Sequence, residues 1–327
     1  MMYQSKLTLF ETQVAIKKLK DFFERQLAYE LNLTRVSAPL FVLPESGLND
    51  NLNGIEKPVT FTVFENKSVE IVQSLAKWKR MAIYQYDIKE KNGIYTDMNA
   101  IRKDETLSPI HSYYVDQWDW ERVMPDERRN FRYLKHIVHK IYKVLKITDE
   151  YIADEFPVLS QKLPKDIFFI TSQSLEDLYP ALNPKERETA ITKKHKAVFI
   201  SHIGHALTSG KPHDLRAPDY DDWSLNGDIL FYNEVLDSAF EISSMGIRVD
   251  AKSLVKQLSF TNALDRLALD YHQAVKQSHL PQTVGGGIGQ SRLCMFFLEK
   301  AHIGEVQSSV WPKTIIDDCR QKNIRLL

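Results

Sequence analysis

Residues 285–293 read GGGIGQSRL, and the way this stretch folds decides what can stand around it. Three consecutive glycines and a fourth at 289 leave the backbone bare, so another group can approach it closely. The run lacks the Lys-Ser/Thr that ends a phosphate loop, and its spacing differs from a dinucleotide-binding turn. Two readings are open. It is either a tight turn where a helix packs on a sheet, or a surface kept clear for a nucleotide. Arg292 gives the second reading its chemistry. It lies on the first turn of an apolar helix expected over residues 291–298, where an arginine can reach a polyphosphate or lie over a purine ring.

Upstream, LNGD (225–228) and FEISSMGIRVD (240–250) supply Asp228, Glu241, Ser244 and Arg248. Strands are expected at 228–233 and 238–243, so Asp228 and Glu241 can sit side by side. Paired carboxylates beside a phosphate site suit Mg²⁺, which takes oxygen ligands and shares them with substrate phosphates. A solvated ion-pair edge is the plainer alternative. Arg248 suits bidentate pairing with a carboxylate. An irregular loop is expected over 202–227, a length that usually marks function or mobility. Gly204, Gly210 and His213 make it a candidate lid.

Strands are also expected at 94–101 and 110–119, linked by RKDETLSP (102–109). Arg102 ends the first. Alternation places His111, Tyr113, Val115, Gln117 and Asp119 on one face of the second, a polar pocket instead of a core. For His111 alone, a structural role is equally open. At the N-terminus, Leu7, Phe10, Val14, Leu19, Phe23, Leu27 and Leu31 keep near one face of a long helix, with Ser5 as its cap and an end near Asn32. An extended run follows over 36–42, where Pro39 excludes a central ladder position. A polar loop over 44–57 places Asp50 among Asn49, Asn51 and Asn53. Strands at 59–64 and 69–72 form a hairpin, and Ser74 caps a short helix running through Lys79 and Tyr84. Helices are expected at 127–147, at 184–195 and twice between 251 and 277, with strands at 167–171 and 197–200. Strands arriving in successive pairs, with helices between the groups, predict an α+β fold: an antiparallel sheet flanked by helices. No repeat or linker divides residues 1–327, so one domain is expected.

Composition excludes several classes. The 43 basic and 43 acidic residues balance, which gives no reason to expect a long nucleic-acid footprint. Cys294 and Cys319 are the only cysteines, too few for a secreted disulfide scaffold and without histidines at zinc spacing. No run approaches the ~20 apolar residues of a membrane span. The N-terminus has no signal-peptide core, so a cytoplasmic location is expected.

Taken together, the long helix with its Pro39 strand (about 5–43), the Arg102–Glu121 segment (within about 94–121) and GGGIGQSRL (within about 283–300) resemble motifs 1, 2 and 3 of class II aminoacyl-tRNA synthetases. QSLAKWKR (73–80), LSPIHSYYVDQWDWE (107–121), RAPDYDDW (216–223), LNGD and FEISSMGIRVD extend the resemblance over essentially the whole chain. The sequence is similar to the ammonia-dependent asparagine synthetases, the aspartate–ammonia ligases. This resemblance implies a class II catalytic core with motif 1 at a homodimer interface. It implies ATP and Mg²⁺, with aspartate and ammonia as the other substrates, and a β-aspartyl-adenylate on the way to asparagine, AMP and pyrophosphate. Arg102 would hold the α-phosphate, and Arg292 would stack on adenine. His111 and Val115 would line the nucleotide site, and Asp228 and Glu241 would bind Mg²⁺. Asp50, Ser74, Lys79, Gln117, Asp119, Asp219, Ser244 and Arg248 would hold aspartate, with Asp50 also a candidate base for the ammonia step.

Two rivals share the resemblance. A tRNA-charging enzyme would need an anticodon-binding barrel, and no strand-rich segment of ~100 residues precedes the first helix. A non-catalytic regulatory paralogue would not be expected to keep Arg102, Glu241 and Arg292. A glutamine-dependent enzyme needs a nucleophilic cysteine, commonly at the mature N-terminus, and neither cysteine stands there.

Overall fold

A computed structural model describes residues 3–50, 52 and 56–327. The strands are β1 (Leu33–Arg35), β2 (Phe41–Val42), β3 (Thr60–Thr62), β4 (Ser68–Ile71), β5 (Gly93–Ile101), β6 (Tyr114–Val123), β7 (Phe168–Thr171), β8 (Ala197–Ser201), β9 (Asp221–Asn233), β10 (Ser238–Arg248) and β11 (Thr283–Gly289). The helices are α1 (Leu9–Leu31), α2 (Ala76–Gln85), α3 (Phe131–Glu155), α4 (Ser172–Leu178), α5 (Pro184–His195), α6 (Ala251–Phe260), α7 (Asp270–Lys276), α8 (Gln290–Phe297) and α9 (Lys313–Gln321). Among the described residues, eight strands form one sheet in the order β1-β5-β6-β11-β10-β9-β8-β7, and β2-β4-β3 form a second.

The large sheet is antiparallel from β5 through β8, as the paired strands predict. At each edge it departs from that expectation: β1 runs parallel to β5 and β7 parallel to β8. The longer strands alternate cleanly. In β6, Trp118 and Trp120 are fully buried on one face, while Gln117 and Asp119 line a cleft on the other. The tryptophan face packs against α1, α3 and α8 through Leu19, Phe23, Leu27, Leu134, Ile137, Leu293 and Phe296. Phe23 and Trp118 meet with ring centroids 4.8 Å apart. Each such fully buried side chain stabilises the fold by roughly 1.5–3 kcal/mol, so the sheet is a rigid floor for its other face.

Local chemistry moves several expected boundaries. Thr8, not Ser5, caps α1. Its hydroxyl accepts from the Glu11 amide while the Glu11 carboxylate accepts from the Thr8 amide, a reciprocal cap that satisfies two otherwise unpaired donors. Ser5 instead donates to the Leu7 carbonyl and accepts from Lys300. The extended run over 36–42 is divided. Val36 still reaches the Tyr95 carbonyl, but only Phe41–Val42 pairs again, with β4. Pro39, which has no N–H to give, lies between. Asn130 caps α3, which starts later and runs further than expected. The expected loop over 202–227 ends at 220, because residues 221–227 belong to β9. The strand expected from 110 begins only at Tyr114, so His111 and Tyr113 precede it. The glycine run is neither a turn nor a loop: it is β11, a central strand.

Candidate active site

The cleft on the polar face of the sheet encloses about 390 Å³. Its floor is β11. An added Cβ on Gly285 would lie 1.9 Å from Glu121 Oε2, and one on Gly287 would lie 2.3 Å from Gln117 Oε1. The glycines therefore make room for side chains reaching over them from β6 and β10.

Three buried charge systems occupy this floor. Arg248 is 1% exposed, and its Nε lies 3.0 and 3.1 Å from the two oxygens of Glu121. Its Nη2 donates to Glu121 at 2.6 Å and its Nη1 to Asp221. Burial raises the Glu121 carboxyl, but Arg248 outweighs it and holds the group below its ordinary range. Asp221 is pushed up by burial, with Arg248 opposing. Beside this system the Lys79 ammonium lies 3.0 Å from Asp119 Oδ2 and donates to the Gly286 carbonyl at 2.8 Å. Burial lowers its pKa against the pull of Asp119. Asp119 Oδ1 is buried without a partner. At one wall stands Asp50, 3% exposed, accepting from the Leu52 amide at 2.9 Å. Burial pushes its carboxyl up, and Lys77 opposes. The neighbouring Asn49 side chain accepts from the amides of Asp50 and Gln73, at 2.9 and 2.8 Å, which pins this loop to the segment carrying Ser74. Ser74 accepts from the Ala76 amide at 3.2 Å, at the start of α2.

The same cleft is also lined by arginines and a histidine. Arg102 donates to the Gln73 carbonyl at 3.3 Å, and its Nε is buried without an acceptor. Arg292 donates to the Glu241 carbonyl at 3.3 Å and stands 3.8 Å from the Glu241 carboxylate. Burial raises Glu241, but Arg292, Arg216 and Lys185 hold it below its ordinary value. His111 bonds Ser108 through Nδ1 at 2.8 Å. Burial, then Arg292, lowers it from 6.5 to about 4, so it is neutral at pH 7. Behind Arg292, Asp116 accepts from the Ser291 amide at 3.0 Å and its hydroxyl at 2.8 Å. Gln307 and Lys20 of α1 also donate to it, at 3.3 and 3.2 Å. This network fixes the first turn of α8, and with it the arginine.

The family model described as aspartate-ammonia ligase matches residues 10–323. The chain is 60% identical over 327 residues to the aspartate–ammonia ligase of Fusobacterium nucleatum, covering 100% of each. It is 59% identical to that of Clostridium tetani, covering 99% of this chain and 96% of the relative. The chain belongs to the aspartate–ammonia ligase family. Its fold is shared with the asparaginyl-tRNA synthetase of Pyrococcus horikoshii solved with asparaginyl-adenylate. That likeness has a TM-score of 0.67 at 15% identity and covers 92% of this chain and 70% of that one. The class II core expected from the three motifs is therefore the fold of this family member.

The cleft of this family member gathers most of the expected residues. Asp50, Ser74, Lys79, Arg102, His111, Val115, Gln117, Asp119, Glu241, Ser244, Arg248 and Arg292 all line the one cleft. His111 reaches it from the loop before β6, not by strand alternation. Asp219 is corrected: it does not line the cleft but lies fully buried. Lys77, Arg266 and His272 stand 3.1, 3.2 and 2.9 Å from its Oδ2. Burial opposes its charge, but Lys77 and His272 hold the carboxyl far below its ordinary range. Asp221, two residues on, is the member of RAPDYDDW that faces Arg248.

Asp228 and Glu241 are also corrected, because they are not side by side. Asp228 pairs with Ser244 and Glu241 with Leu230. A bulge between Glu241 and Ser243 brings Glu241 and Ser244, three apart, onto the same face, since an extra residue resets the alternation. Arg216 holds Asp228 Oδ2, while Oδ1 is buried and unpartnered. Burial pushes the Asp228 carboxyl up to about 7. Asn51 and Asn53, expected beside Asp50, lie outside the described residues. Glu121, Asp221, Arg216 and Lys185 received no role from the sequence. Glu121 was legible, because it extends the Gln117–Asp119 alternation by one step. Lys185, on α5 and 53 residues before β10 begins, carried no such signal.

Proposed function

We infer that this family member joins aspartate to ammonia at the expense of ATP, forming asparagine. One observation carries the reading: a set of buried, unpartnered polar atoms and fixed cations converges on a single cleft. Asp119 Oδ1 is an acceptor suited to the substrate ammonium. Lys79 and Arg248 are cations suited to its carboxylates, and Gln117 and Ser244 line the same cleft. Arg102 Nε is a donor without an acceptor in the same cleft as Arg292, and together they suit the phosphates.

A carboxylate does not react with ammonia at neutral pH, because its leaving group would be oxide. Attack of the β-carboxylate on the α-phosphorus of ATP expels pyrophosphate and gives an acyl-adenylate. Ammonia then attacks the β-carbonyl carbon and AMP leaves. Arg102 meets the charge that grows on the α-phosphoryl oxygens, and such preorganised electrostatics usually supply the largest catalytic term. Arg292, anchored through Ser291 and Asp116, covers the nucleotide. Neutral His111 adds no charge to repel Arg292 and gives the nucleotide a flat side wall. Glutamate is one methylene longer than aspartate, which alone discriminates by roughly 1–3 kcal/mol. The fixed Lys79–Asp119 and Arg248–Glu121 pairs add to this, because they do not shift to follow a displaced charge. We assign to Asp50, its carboxyl raised by burial, the proton taken from the attacking amine.

Asp228 and Glu241 present hard oxygen donors that suit Mg²⁺. The orphaned Asp228 Oδ1 and the partly exposed Glu241 would hold it. Among the described residues no cluster of three or more His, Cys, Asp or Glu forms a metal site, so phosphate oxygens would complete the shell. When bound, Mg²⁺ would neutralise charge on the phosphates. We further assign the whole chain to one catalytic unit acting in the cytoplasm. Among the described residues no helix is long and apolar enough to cross a membrane. A homodimer through α1 is suggested by its exposed Leu9, Phe10 and Tyr29.

Product analysis after mixing aspartate, ATP, Mg²⁺ and ammonia tests the reaction. Asparagine, AMP and pyrophosphate are expected; ADP with phosphate, or no asparagine, would overturn it. Offering tRNA or glutamine in place of ammonia tests the acceptor.

A further inference from the structure

The three cations that act on Glu241 in the cleft are held differently. Arg216 is held by Asp214 and Asp228, and Arg292 by Glu241. Lys185 differs. It is the second residue of α5 and lines the cleft together with His111, Arg216, Glu241 and Arg292. Its side chain is 69% exposed, and its ammonium lies 3.1 Å from both oxygens of Glu188, one turn along the same helix. An ion pair this exposed is weak and readily exchanged. Glu188 does not depend on it, because buried His213 stands 3.0 Å away on the other side. The α5 terminus itself is already occupied: Asn183 and Glu186 cap each other's amides. The lysine, whose one ion pair is exposed, can thus exchange Glu188 for an anion, and the capped helix end cannot. A lysine offers a flexible stem and three donors, suited to a group that moves during reaction.

We propose that Lys185 binds the pyrophosphate end of ATP, leaving Glu188 to take a β- or γ-phosphoryl oxygen and remaining on pyrophosphate as it departs. This rests on the AMP-forming reading above and extends it to a residue outside the three motifs. No bond is made or broken by the lysine. It supplies a charge-assisted hydrogen bond where the leaving group gains negative charge.

Calorimetric binding to the full chain in Mg²⁺ buffer tests it, with AMP, ATP and pyrophosphate as separate ligands. Lys185→Met should weaken ATP and pyrophosphate by roughly 10- to 100-fold, the loss of one charged hydrogen bond. AMP, which lacks the contacted groups, should bind within twofold of wild type, and Lys185→Arg should restore most of the loss. Equal weakening of AMP would show a general disturbance of the cleft and overturn the proposal, as would unchanged pyrophosphate binding. Failure of the underlying reading looks different: the wild-type chain would itself bind no pyrophosphate and release no AMP.

Discussion

Gly285 and Gly287 lie two residues apart on one strand, yet alanine at each should fail in a different way. At Gly285 the new Cβ meets Glu121 Oε2 at 1.9 Å and Arg248 Nη2 at 2.5 Å. Glu121 is 0% exposed and its carboxylate is gripped by Arg248, so it has no route into water. Breaking such a buried pair costs about 3–5 kcal/mol. For 327 residues the unfolding entropy is ~0.7 kcal/mol/K, so Tm should fall by roughly 4–7 °C. At Gly287 the obstacle is the end of Gln117, at 2.3 Å, then Asp119 Oδ1 at 2.8 Å. Gln117 can rotate into the cleft, so Tm should stay within ~2 °C of wild type. The methyl group and displaced amide then occupy the aspartate position. Thermal melts with aspartate-dependent exchange of pyrophosphate into ATP separate the two. Gly285→Ala should lose stability and activity, and Gly287→Ala activity alone. Equal melting of both variants, or exchange surviving in Gly287→Ala, would refute the reading of β11 as a cleared floor.

Asp219→Asn should lower Tm by roughly 4–7 °C through the unpaired Lys77 and Arg266 charges, while KM for aspartate in the folded variant stays within about twofold; a large KM change at unchanged Tm would return Asp219 to the substrate site. Asp50→Asn should slow amide formation more than pyrophosphate exchange, measured as single-turnover rates; an equal fall would reduce Asp50 to a substrate anchor. His111 binds a proton below about 4 in the fold but below 6.5 when unfolded. The unfolded state therefore holds more protons in that window, and stability falls as pH drops through it, by about 3 kcal/mol at most near pH 4. His111→Gln should remove this part of the pH dependence in denaturant titrations; an unchanged slope between pH 6.5 and 4 would exclude it.

The sequence made the site residues legible where chemistry follows strand periodicity. Gln117 and Asp119 alternate with two tryptophans, and Arg248 ends an apolar strand. What it hid was set by tertiary pairing. The glycine run reads as a turn because glycine has low strand propensity, but β6 and β10 clamp it from both sides. The register of β9 against β10, and the bulge after Glu241, decide which carboxylates share a face, and neither leaves a local signal. Asp219 and Asp221 illustrate the same limit. Both sit in one short acidic stretch, and only packing against α7 or β10 separates a structural carboxylate from a cleft residue.

β11 is the last strand in the chain but the fourth across the eight-stranded sheet. Until residues 283–289 are made, nothing joins β1-β5-β6 to β10-β9-β8-β7, and any pairing formed within either group leaves β6 or β10 with an open hydrogen-bonding edge. Unpaired edges invite pairing with other chains. A nascent chain stalled before this strand should therefore be prone to aggregation and unable to bind nucleotide, since the seam that joins the halves is also the floor on which the reaction takes place.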